Sequence, residues 1–193
     1  MLLTALLLAL VGIAALTDLS SRKIYNWLTY PGTIGAVALH GVGSLLVSKQ
    51  LADQQYLRTL GWLPYQESLL GLALCGAVML VCYVLFGIGG GDVKLIAMIG
   101  AFLGPYEGLE AMLWTFILGG AMGVVALIWR LGIVEFATRL FRQLLWEISF
   151  GRIGASGQED KSASWPLFLA PSALAAVVMV RFGVSQWLSG LIG

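Results

Sequence analysis

Six apolar stretches divide this sequence, at about residues 1–17, 28–47, 67–86, 93–104, 109–129 and 165–180, with short polar segments between them. Inside a bilayer every backbone N–H and C=O must be paired within the protein, so such stretches can form only helices or a closed barrel. Continuous apolar runs approaching roughly 20 residues, without alternation, read as helices. Only 11% of the residues are charged and 59% are hydrophobic, whereas about a quarter of a soluble domain is charged. The expected fold is therefore an all-α polytopic membrane protein with about six transmembrane helices. It forms one integral membrane domain over residues 1–193, with no soluble domain appended. The first run carries no charge and lacks the positive start of a signal peptide, so it is read as an uncleaved first helix. A net charge of +1 gives no electrostatic reason to expect a nucleic-acid partner.

The fourth run is the exception to the pattern. Residues 93–104 make about 18 Å of helix against a hydrocarbon core of about 30 Å. Directly before them stands Phe86-Gly-Ile-Gly-Gly-Gly-Asp-Val-Lys-Leu95, with Gly87, Gly89, Gly90 and Gly91 crowded ahead of Asp92. Irregular backbone at membrane depth survives only where it is buried in protein or lines a watery cavity. Asp92 is thus expected in or beside such a pocket, and an ionisable residue there is a candidate functional group. Gly89 and Gly91 are read as hinge or close-approach positions. Lys94 is read as supporting, either neutralising Asp92 or snorkelling to the interface. The segment is neither a dinucleotide fingerprint, since Asp92 stands where the last glycine belongs, nor a phosphate loop. Pro105-Tyr-Glu-Gly108 reads as a tight turn.

Elsewhere the pattern is plainer. Pro31 falls near the first turn of the second helix, and residues 48–66 read as a polar loop. Residues 133–148 alternate apolar and charged positions at helical spacing, which predicts an amphipathic helix lying on the membrane surface. Residues 151–164, rich in Gly and Ser, read as a flexible loop. Most tryptophans, including Trp27, Trp62, Trp114 and Trp129, fall near span ends as interfacial anchors do. Cys75 and Cys82 read as small packing residues, and His40, the only histidine, has no second ligand with which to form a metal site. With six spans, eight of the 11 basic residues lie in the odd-numbered loops. The positive-inside rule then turns those loops toward the cytoplasm.

Asp18 and Asp92 both come out on that side, each beside a helix end. Two such carboxylates can share one proton, one acting as a base that deprotonates water and the other as an acid that protonates a carbonyl or leaving group. That is aspartyl peptidase chemistry. The residues alone also allow plainer roles. Asp18 could cap a helix or pair with Arg22, and Asp92 could cap the fourth helix or pair with Lys94. Asn26 could hydrogen-bond Asp18 or cap the second helix. A small ion-coupled transporter would use intramembrane carboxylates equally well, although such folds repeat their broken helix and only one glycine-broken segment is found here.

Gly89-Gly90-Gly91-Asp92 fits the G-x-G-D signature of membrane aspartyl proteases, and Gly-Gly-Gly-Asp-Val-Lys-Leu resembles the prepilin peptidase (type IV leader peptidase) family. Asp18-Leu-x-x-Arg22-x-Ile24-x-Asn26-x-Leu28-Thr29 is similar to that family's other aspartate motif, and Ala170-Pro171 to a proline-containing motif in its last helix. Tyr25 and Phe168 stand where the family usually has proline. No cysteine-bearing segment lies between Asp18 and Trp27, so the resemblance is to peptidase-only members without the methyltransferase segment, such as Flp/Tad-type or preflagellin peptidases. It implies catalytic Asp18 and Asp92 and no metal or organic cofactor. The substrate would be a prepilin-like protein with an apolar N-terminal helix, cut at the cytoplasmic face of the plasma (inner) membrane. The implied partners are the lipid bilayer and pilus or secretion assembly proteins. A pilus-assembly subunit that has lost catalysis is the variant of this reading that the two aspartates speak against. From the repulsion of two unpaired carboxylates in a dry site, the aspartates need not be in contact at rest, and substrate binding is the expected means of bringing them together.

Overall fold

A computed structural model describes residues 2–21, 23–131 and 169–183. The surface helix expected over residues 133–148 and the loop expected over residues 151–164 lie outside the described residues. Two compact units divide the chain, one of residues 1–118 with 168–193 and one of residues 119–167. In the second unit the described residues, 119–131, are helical.

The described residues form six helices: α1 Leu2–Ser21, α2 Asn26–Ser48, α3 Gln54–Thr59, α4 Tyr65–Phe86, α5 Gly90–Leu131 and α6 Leu169–Arg181. Leu2–Ser21, Asn26–Ser48, Tyr65–Phe86 and Gly90–Val125 are long and apolar enough to cross a membrane, while α6 is apolar but shorter. The chain is a multi-pass helical membrane protein. Lipid is as apolar as leucine, so helices in it associate through close packing of small residues and through hydrogen bonds. Both are visible in the first unit. The buried stripe of α1 is Leu3, Leu7, Val11, Ala14, Ala15 and Asp18, at the three- and four-residue steps of one helix face. It packs against α6, whose buried residues include Ala170, Ala173 and Ala176.

The long α5 is two arms. Gly104 has φ 81° and ψ −177°, outside helical values, in a left-handed region that favours glycine. Gly108 lies against Gly100, its added Cβ falling 3.0 Å from the Gly100 Cα. An unbroken helix would hold these residues about 12 Å apart, so the chain folds back at Gly104. The turn expected at residues 105–108 is therefore the start of the second arm, with Pro105 in its first turn, where its missing N–H costs nothing. Pro105 also cannot donate to the Ala101 carbonyl, and the Ser68 hydroxyl does so instead at 2.7 Å. The first arm, residues 90–103, is apolar from Leu95 onward and buried at Leu95, Ile96, Met98, Ile99, Ala101, Phe102 and Leu103. A short helix walled by protein need not reach both faces of a bilayer.

Three local readings are corrected. Pro31 sits inside α2, in its second turn, so the Trp27 carbonyl loses its helical donor. The polar loop of residues 48–66 contains α3, capped by Asp53, whose side chain accepts from the Gln55 N–H at 3.0 Å. Trp62 is a buried plug rather than an interfacial anchor. It fills the space opened by Gly43, and its Nε1 donates to the His40 carbonyl at 2.9 Å. His40 Nδ1 in turn accepts from the Leu63 N–H at 3.1 Å, so this histidine pins the segment leading into α4.

Candidate active site

Asp18 is the last member of the buried stripe of α1 and is itself buried. Its position follows from the spacing. The face that packs Leu7, Val11, Ala14 and Ala15 inward carries the carboxyl inward one turn later. Asp18 Oδ2 accepts a long hydrogen bond, 3.4 Å, from the Ala170 N–H in the first turn of the described α6. Pro171, next in sequence, has no N–H to contribute.

Asp92 is set by the glycines before it. Gly87, left-handed at φ 66°, ends α4 with its N–H on the Tyr83 carbonyl at 3.0 Å. Two residues later the Gly89 carbonyl accepts from the Asp92 N–H at 3.0 Å and the Val93 N–H at 3.4 Å, which starts α5. Asp92 therefore lies in the first turn of α5, half-buried. Neither Gly89 nor Gly91 has a positive φ; of the glycines in this segment only Gly87 does. What Gly89 and Gly91 share is close approach. A Cβ on Gly89 would stand 2.9 Å from Asp92 Oδ2, and one on Gly91 3.0 Å from the Ile24 Cβ. Gly90 is different, its Cβ meeting only the Tyr83 ring at 4.0 Å.

The two aspartates sit at the same end of the first unit, Asp18 near the end of α1 and Asp92 next to Gly91, which packs on Ile24 just after that helix. No hydrogen bond joins them among the described residues. Their flanking segments do meet. Lys94 Nζ donates to Asn26 Oδ1 at 2.8 Å and stands 4.9 Å from the Tyr30 ring centroid, while Ile24 packs on Gly91. Lys94 and Asn26 thus pair with each other. Lys94 makes no ion pair with Asp92, and Asn26 is the first residue of α2, not its cap, which is Tyr25. Ala170 and Ile24 belong to the site region although the sequence marked them only as members of longer motifs. Ala170 acts through a backbone N–H, which no side-chain pattern reports.

A buried carboxyl held by one backbone donor, beside a second at the mouth of a glycine-bounded helix, can move protons to and from a bound water. The statistical model of the type IV leader peptidase family matches residues 5–124, a stretch containing both aspartates and most of the chain. The chain belongs to the type IV leader peptidase family. Searches of curated proteins and of solved structures returned no significant match. Within this family the chain has Tyr25 where the motif resemblance leads one to expect proline. Tyr25 has φ −80°, within the range that a proline ring fixes.

Gly89→Ala is expected to lower turnover per folded molecule by about tenfold or more, because the new methyl presses on the Asp92 carboxylate. Gly90→Ala should stay within about twofold, its methyl entering open space. Equal effects of the two substitutions, measured on monodisperse protein in detergent, would remove the close-approach role of Gly89.

Proposed function

We propose that this protein is an aspartyl endopeptidase that removes the leader from type IV prepilin-like proteins at the cytoplasmic face of the plasma (inner) membrane. Asp18 and Asp92 are the catalytic pair in this reading. The observation that carries it is the placement of both aspartates at one end of the first unit, where their flanking segments meet through Lys94 with Asn26 and Gly91 with Ile24, within a chain of the leader peptidase family. One carboxylate takes a proton from water and the other gives one to the scissile carbonyl or the leaving amine. The substrate's apolar helix lies against the helices of the enzyme, and its extended leader junction reaches the carboxyls. Gly89 leaves room beside the Asp92 carboxyl, and Gly91 leaves room for Ile24. Lys94 and Asn26 tie the two motif segments together.

The test is cleavage by the purified protein, in detergent, of a prepilin-like protein encoded beside it. Mass spectrometry should find one cut, at the junction of basic leader and apolar helix, unaffected by a metal chelator. No cleavage, or cleavage scattered through the substrate, would overturn the reading.

Orientation is tested separately. In a background with Cys75→Ala and Cys82→Ser, a cysteine at Lys23 should react with an impermeant maleimide only from the cytoplasmic side. A cysteine at Arg58 should react only from outside. The reverse pattern would place the aspartates on the other face.

A further inference from the structure

The contacts that join α1 to α6 lie at opposite ends of the pair. At one end Ala170 donates to Asp18. At the other, about 21 Å along α1 from Asp18 and about 17 Å along α6 from Ala170, Arg181 meets Thr4. Arg181 Nε and Nη2 donate to Thr4 Oγ1 at 3.1 Å and 2.6 Å, and Nη1 donates to Glu107 Oε2 at 2.9 Å. Glu107 belongs to the second arm of α5, just past the Gly104 turn. Gly61, at φ 90°, brings a fourth segment alongside, where an added Cβ would lie 3.2 Å from Arg181 Nη2. The Leu3 N–H donates to the neighbouring Leu60 carbonyl at 3.1 Å. One guanidinium therefore links the α1–α6 pair, which carries Asp18, to the α5 hairpin, whose first arm carries Asp92.

The Arg181 and Glu107 side chains are 25% and 45% exposed, and an ion pair so exposed adds little stability. What the fork supplies is geometry, because three nitrogens in one rigid plane fix two partners at once. Both aspartates lie a helix length away from it. A tilt of about 3° at the Arg181 end displaces a group about 20 Å along a helix by about 1 Å, and a 1 Å misplacement can cost about a hundredfold in rate. Resting on the aspartyl peptidase reading, we propose that Arg181 is a positioning residue. By locking α6 to α1 and to the α5 hairpin at the far end, it sets the Ala170 N–H on Asp18 and the gap between Asp18 and Asp92.

Arg181→Lys keeps the charge but offers a single nitrogen, which cannot hold Thr4 and Glu107 in the same geometry. It should lower kcat per folded molecule by about tenfold while KM stays within about twofold, since substrate docking is untouched. Thr4→Val should do the same, and Thr4→Ser, which restores the acceptor oxygen, should recover most of the rate. Arg58→Gln, on the exposed α3, is the control and should match the wild type. Folded protein is counted by size-exclusion chromatography in detergent. Wild-type kcat in Arg181→Lys and Thr4→Val overturns the inference. So does a Thr4→Ser variant as slow as Thr4→Val, or a loss that disappears once folded protein is counted. If the wild type cleaves and the two aspartate variants do not, such results count against the role of Arg181 alone. A wild type without turnover overturns this inference together with the peptidase reading.

Discussion

Asp18→Asn and Asp92→Asn are each expected to abolish leader cleavage, by about a thousandfold or more, with membrane insertion unchanged. Asparagine matches aspartate in size, and its Oδ1 can still accept the Ala170 N–H, so neither substitution opens a cavity or removes the contact between α1 and α6. What it removes is a group that can take up or release a proton. A water held by one remaining carboxyl has a base or an acid but not both. The double variant should therefore be no slower than either single one, because the groups act as a unit and their losses do not add. Turnover by either single variant within about tenfold of the wild type would remove that residue from the pair.

The second large effect is on folding. Gly100→Val should destabilise the protein by about 3 kcal/mol, near the upper end of what overpacking usually costs. A Cβ on Gly100 would collide with the Gly71 carbonyl oxygen and stand 2.8 Å from the Cys75 Cβ and Sγ. The collision is with backbone, so no rotamer change relieves it. The reciprocal change, Gly71→Val, meets the Gly100 carbonyl and stands 2.7 Å from the Gly104 carbonyl carbon, and should cost about as much. Gly120→Val is the contrast, since nothing lies within 4 Å of its added Cβ. The readout is the midpoint of thermal unfolding in detergent. Equal midpoints for Gly100→Val and Gly120→Val would mean that α4 and α5 do not approach as closely as described.

Much of this was legible in the residues. Hydropathy gave the helical membrane class, and two aspartates beside helix ends gave the candidate chemistry. The glycine cluster before Asp92 marked an irregular segment. It did not reveal which glycine turns the chain and which make room, because both uses exploit the same missing Cβ. Gly87 turns it, with φ 66°, and Gly89 and Gly91 make room. Gly104 was hidden for a related reason. Pro105 drew the expected turn to itself, yet proline suits the start of a helix, and the glycine before it is what reverses the chain. Trp62 resembled the other tryptophans near span ends, and only its fit over Gly43 shows that it is a core residue.

Sequence by itself determined that the chain must pair its backbone within helices and that two carboxyls end up at the borders of apolar runs. Those properties depend on local composition and on the absence of water in a bilayer. Tertiary structure decided that Asp18 receives a backbone N–H from α6, 152 residues away in sequence, and that Lys94 serves Asn26 rather than Asp92. It also decided that Arg181 ties α6 to α1 and to the α5 hairpin. Such partnerships depend on which helix faces meet, a choice made by small residues at the crossings and invisible to any single segment.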